Sequence, residues 1–261
     1  MTTTISSISR QGAYEPFELQ VSRGQIMGHR VVNVFGYNAD IDTALETVWP
    51  QGGVLTRPAA ALAMKVSSSS ADDDAAGTGA RTVVIQGLDA DYNEVSETVT
   101  LDGQTAVTMT VEMIRVNYLF VASAGSGATA AGTIYVGTGT VTSGVPATIY
   151  NMIAVGYNAS LTGSYTVPAG HTGYVVSGLF TAGQLSGTQA VTGELSLINS
   201  NLIKRVAAIS TLNNGVASYP FDYPVVVPQK TTVEALAIGS GSNNLVSAKV
   251  QMVLIKNDGG A

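Results

Sequence analysis

The sequence predicts an all-β chain: two consecutive antiparallel β-sandwich, jelly-roll-like modules behind an extended N-terminal arm. Three observations carry this. Apolar residues recur with period two, short strand-like runs are separated by Gly, Pro, Asn and Ser, and charged residues make up only 11% of 261 positions, against roughly 25% in an ordinary soluble domain. With so few charges, the water-facing side of each strand must be built from Ser, Thr, Asn and Gln, and Thr in particular suits a pleated strand. The clearest alternation is VSAKVQMVL at 246–254. There Val246, Ala248, Val250, Met252 and Leu254 fall on one face, and Ser247, Lys249 and Gln251 on the other.

Taken in chain order, residues 1–28 hold few alternating apolar positions and contain Gly12, Pro16 and Gly24, which reads as an extended arm packed on another body, a neighbouring subunit being one candidate. The first module, 29–148, is expected to carry strands at 30–37, 45–49, 104–111, 114–123 and 131–137. It also holds a hairpin in which RTVVIQGL (81–88) and EVSETVTL (94–101) are joined by Asp89–Asn93, a turn-forming link of hairpin length. Alanine propensity supports a turn or two of helix at 58–66, PAAALAMKV. The stretch GTGTVTSGVPAT (137–148) is short of bulky residues and reads as the linker between modules. The second module, 149–261, offers strands at 163–167, 172–180, 191–198, 202–210, 223–227, 231–238 and 246–255. GYNAD at 36–40 and GYNAS at 156–160 each precede a Thr-Val-Pro turn by some ten residues, an echo that fits either duplicated modules or chance in a Gly- and Ala-rich chain.

The net charge is −6, and Lys and Arg are scattered singly apart from Lys204-Arg205, so a phosphate backbone finds no basic patch and no nucleic-acid partner is expected. There is no cysteine, hence no disulfide and no thiolate metal site. No apolar run approaches a membrane span and residues 1–15 lack a signal-peptide core, which gives the expectation of a soluble protein made in the cytoplasm and no membrane partner. His29, which precedes Arg30, and His171, in the turn PAGHTGY, each lie without a second histidine near in sequence, and neither a nucleophile elbow nor a phosphate-binding loop is present. No enzyme and no cofactor are expected.

Two acidic stretches are candidates for calcium. DADYN at 89–93 places oxygens at alternate positions, but the positions where an EF-hand needs Gly and Glu hold Glu94 and Thr100, so only an irregular site at Asp89–Asp91 remains open. Asp72–Asp74, inside SSSSADDDAAGTGA, reads as an exposed loop. The aromatics Tyr219, Phe221 and Tyr223 alternate in YPFDYPVVVP, with Pro220 and Pro224 marking an edge strand or a bulge. They are a candidate interaction surface, with core packing as the competing explanation.

The stretches PFELQVSRGQIMGH (16–29), GYNADIDT (36–43), RVNYLFVASAGSG (115–127) and above all 67–103 resemble a group of virion structural proteins of tailed bacteriophages from marine and aquatic sources. The second half, with YTVPAGHTGYVVSG and VVVPQKTTVEALAIG, is similar to jelly-roll modules of capsid decoration (cement) proteins and phage appendages. The resemblance implies a decoration protein made in the host cytoplasm. It would sit as a homotrimer on the exterior of the assembled head and bridge copies of the major capsid protein. Its alternative implication is a head-fibre or tail-associated adhesin for a host glycan or receptor.

Overall fold

The computed structural model describes residues 15–184 and 189–257. Among them are one short helix, α1 (Phe17–Ser22), and sixteen strands, all paired antiparallel in four sheets. Sheet A runs β1 (His29–Ile41), β16 (Asn244–Lys256), β11 (His171–Gln184), β14 (Gly215–Val227). Sheet B runs β10 (Ser164–Thr166), β15 (Thr232–Gly239), β12 (Val191–Ile198), β13 (Lys204–Leu212), with the short β2 (Glu46–Thr47) laid on β15. Sheet C runs β6 (Val107–Met113), β3 (Leu62–Ser68), β8 (Ile134–Thr142), β9 (Val145–Ile153), and sheet D runs β5 (Glu94–Thr100), β4 (Ala80–Leu88), β7 (Arg115–Ala124).

Period two decides what each sheet buries. Along β16 every second residue from Val246 to Leu254 is buried, and these meet Val34 of β1, Val175 and Phe180 of β11 and Leu195 of β12 in one core between sheets A and B. Gly193 makes room there, because a Cβ at that position would stand 2.7 Å from the Phe180 ring. A second core, with Met64, Val66, Ile85, Val99, Leu119, Ile134 and Ile153, lies between sheets C and D. The all-β sandwich class is therefore observed.

Strand pairing divides the chain differently from modules at 29–148 and 149–261. β1 pairs with β16 over His29–Asn38, and β2 pairs with β15, so both belong to the sandwich built mainly by the C-terminal half. The chain leaves that sandwich after β2, builds sheets C and D, and returns at β10. Periodicity reports which side chains face inward; it does not report which strand lies alongside. The expected linker at 137–148 is a β-hairpin, β8 to β9, turning at Ser143 and Gly144 with φ of 49° and 79°. Its lack of bulk has a packing reason: a Cβ on Gly137 would stand 2.1 Å from the Thr148 carbonyl oxygen. The helix expected at 58–66 is replaced by β3, where Met64 and Val66 alternate into the core and burial overrides alanine propensity. Within 1–28, residues 17–22 are helical, with Val21 buried, and 1–14 lie outside the described residues.

The GYNA echo has no structural counterpart. Gly36 lies inside β1, where a Cβ would meet the Val48 carbonyl at 2.4 Å and Gly163 Cα at 2.8 Å. Gly156 occupies a turn with φ of 80° and open space around it. One glycine permits close packing and the other permits a left-handed backbone.

Candidate functional site

Tyr219, Phe221 and Tyr223 stand on β14, an edge strand of sheet A, but they do not share a face. Tyr219 and Phe221 pack against the A/B core with rings 6.5 Å apart and nearly parallel, whereas Tyr223 is 89% exposed. A bulge breaks the alternation: Val175 pairs with Val225 and Ser177 with Pro220, so 221–224 stand opposite one residue of β11, and within that segment Phe221 turns to the core and Tyr223 to solvent. The Tyr219 hydroxyl is buried without a hydrogen-bond partner, as is the hydroxyl of Ser210 on the neighbouring β13.

Tyr223 belongs to a larger apolar flank. Of the seventeen large apolar side chains exposed among the described residues, seven lie between 202 and 226. These are Leu202 and Ile203 in the turn before β13, Val206 and Ile209 on β13, and Val216, Tyr223 and Val226 on β14. β13 and β14 are each the last strand of their sheet, so this flank also carries unpaired strand edges. Pro220, Asp222 and Pro224 interrupt the β14 edge and discourage unspecific strand addition there.

The two acidic stretches serve the fold. Asp73 is fully buried, in contrast to the expected exposed loop, and its carboxylate is a hub. Oδ1 accepts the N–H groups of Ala80 (2.7 Å) and Ala131 (2.8 Å), while Oδ2 accepts the Gly132 N–H (2.8 Å) and the Ser68 hydroxyl (2.6 Å). Asp72 is exposed and Asp74 half-buried beside it. Asp89 closes the β4–β5 turn. Oδ1 takes the N–H groups of Asp91 (2.9 Å) and Asn93 (2.8 Å), and Oδ2 takes the Asn93 amide (3.2 Å). Burial pushes the Asp89 carboxyl up, but these bonds together outweigh it and leave the pKa below its ordinary value. Among the described residues no group of three His, Asp or Glu side chains is placed to hold a metal ion.

A concavity lies where the inserted sandwich meets the other. It is a cleft of ≈600 Å³ with β1 as one wall and β4, β5 and β7 as the other. Register sets the second wall. Ser96, Gln86 and Tyr118 are direct neighbours across β5, β4 and β7 and form one row on the outer face of sheet D. Phe120 follows Tyr118 on the same face, its ring 6.0 Å away. The first wall presents Asn33 and Phe35 from the outer face of β1.

The floor is closed by internal hydrogen bonds. The Asn117 amide pairs with both backbone groups of Thr166 at 2.9 Å, Ser160 receives the Leu119 N–H at 3.1 Å, and Thr162 donates to Asn151 at 2.8 Å. At one end Arg30 pairs with Glu94 and reaches the Tyr165 hydroxyl at 3.4 Å. Burial there pushes the Tyr165 hydroxyl up to about 12, against the pull of Arg30. The sequence carries no local signal of this cleft, because its walls come from segments separated by some fifty residues and more.

No protein-family model matches the chain, and no curated protein matches it. Among solved structures it is similar to the VP2 subviral particle of infectious bursal disease virus at 9% identity, over 88% of this chain and 73% of that one, with a TM-score of 0.24. The Gx strain of the same virus matches at 12% identity over 89% and 73%, TM-score 0.24, and its T13 viral particle at 10% over 88% and 74%, TM-score 0.21. Scores this low leave the layouts largely unsuperposed.

Proposed function

We propose that the chain is a structural protein of a tailed-phage virion: a decoration protein that sits as a homotrimer outside the assembled head and bridges copies of the major capsid protein. The observation that carries this reading is the apolar flank at 202–226, on two edge strands of the larger sandwich. Val206 and Ile209 stand on the outer face of sheet B and Val216 and Val226 on that of sheet A, so a partner would clasp this edge of the sandwich from both sides. The likeness of 67–103 to phage virion proteins supports the same reading.

Mechanistically, a protein that binds the assembled shell and not its dissociated subunits stabilises the shell by mass action, and a modest contact gains strength from many copies. A surface poor in charge and net acidic suits the exterior better than contact with packaged DNA.

The test is reconstitution on purified shells that lack the chain. Saturable binding with a rise in shell dissociation temperature is expected. Tyr223→Asp combined with Ile209→Asp should weaken binding at least tenfold while leaving the chain's own melting unchanged, since both side chains are exposed. Wild-type chain that does not bind shells would overturn the proposal.

A further inference from the structure

We propose that the cleft between β1 and sheet D binds a neutral saccharide. The inference is independent of where the chain sits on a virion. Its first support is the row Ser96–Gln86–Tyr118, where a hydroxyl, a side-chain amide and a phenol, each exposed, stand side by side with no hydrogen-bond partner among the described residues. Such groups match the donor and acceptor pattern of sugar hydroxyls.

The second support is aromatic surface on both walls. Tyr118 and Phe35 are exposed, the Phe35 ring with the Lys249 ammonium 5.8 Å over one face and its other face free, and Phe120 extends the Tyr118 side. Rings with an open face and few internal degrees of freedom cover the apolar side of a pyranose at small entropic loss.

The third support is the backbone of β1. Tyr37 donates its N–H to the Leu161 carbonyl at 3.1 Å, on the side away from β16. Since the register is regular from His29 to Asn38, the N–H and C=O groups of Val31, Asn33 and Phe35 point the same way, along the cleft, with no backbone partner. Fixed donors and acceptors therefore face the polar row across the opening.

Charge selects the ligand class. Among the described residues the ions lining the cleft are Arg30 and Glu94, which pair with each other. Among the described residues the lining itself offers no unpaired cation to a phosphate, sulfate or uronate and no free carboxylate to an amine, and the Lys249 ammonium beside it is set over the Phe35 ring at 5.8 Å. A volume of ≈600 Å³ lies within the range of roughly 300–1,000 Å³ typical of small-molecule sites and admits two or three sugar rings.

The experiment is calorimetric and NMR titration of the full chain with neutral oligosaccharides of three to six residues: glucans, galactans, mannans and chitooligosaccharides. At least one should bind with a Kd at or below about 1 mM, with shift changes at Gln86, Ser96 and Tyr118. Tyr118→Ala and Gln86→Ala should each weaken it at least tenfold with an unchanged unfolding midpoint, Tyr118→Phe should have an intermediate effect, and Tyr223→Ala none. Absence of binding across the panel, binding mapped to the 202–226 flank, or binding that survives both alanine variants would overturn the assignment. Binding of an extended peptide in place of every sugar would overturn it in favour of strand addition to β1.

Discussion

Replacing Asp73 with Asn probes whether the inserted sandwich is organised around one buried carboxylate. Asp73 lies in the loop between β3 and β4, and its two oxygens tie that loop to the start of β4 and to the segment entering β8. An Asn retains one oxygen, which keeps Ala80 and Ala131 as donors, but those two bonds lose their ionic partner and about half their strength. The new amide nitrogen then meets the Gly132 N–H, donor against donor, while the Ser68 hydroxyl turns to accept. One orphaned buried donor costs about 1–3 kcal/mol and each weakened bond about 1 kcal/mol, partly offset by removing a buried charge. The expected loss is about 2–4 kcal/mol, a fall in Tm of roughly 5–15 °C at 2–4 °C per kcal/mol. Asp72→Asn, at an exposed neighbour, should stay within about 0.5 kcal/mol. Trp49 is the one tryptophan and packs with Leu55 and Met152 against β9, so its fluorescence in a denaturant titration follows the junction of the two sandwiches, and circular dichroism follows the whole. Equal midpoints for Asp73→Asn and Asp72→Asn would refute the hub.

Arg57 and Glu234 form an ion pair at 2.6 Å with Glu234 almost wholly buried, so Arg57→Ala should cost about 3–5 kcal/mol by leaving an uncompensated charge, measured by denaturant unfolding. Gly36→Ala should cost at least about 2–4 kcal/mol because its Cβ overlaps backbone, and Gly156→Ala only about 1–2 kcal/mol for the left-handed backbone; comparable losses would contradict the packing described for β1. Because the folded pKa of Tyr165 lies above its ordinary value near 10, its neutral form favours the folded state. That contribution is intact below about pH 10 and is lost as pH rises toward about 12, so near-ultraviolet absorbance should show a late-ionising component that Tyr165→Phe removes.

Local features were legible where they depend on alternation alone. The 246–254 pattern matches the observed burial residue by residue, and the 81–88/94–101 hairpin pairs from Thr82↔Thr100 to Leu88↔Glu94. Features that depend on distant partners were not. β1 alternates equally well for either sandwich, and only the partner β16, two hundred residues later, decides its place. Asp73 looked solvated because its neighbours are Ser, Ala and Asp, while its donors include backbone N–H groups at 131 and 132. Tyr219, Phe221 and Tyr223 alternate in sequence, yet the bulge at 221–224 turns the third outward, and Pro220 and Pro224 were the visible sign of it. The cleft has no signature at all, because Gln86 and Phe35 become neighbours only once one sandwich is inserted into the other.

Position on the head is tested by imaging virions whose copies of the chain carry an electron-dense label. Label distributed over the icosahedral shell at regular sites is the predicted result; label confined to the tail would contradict it.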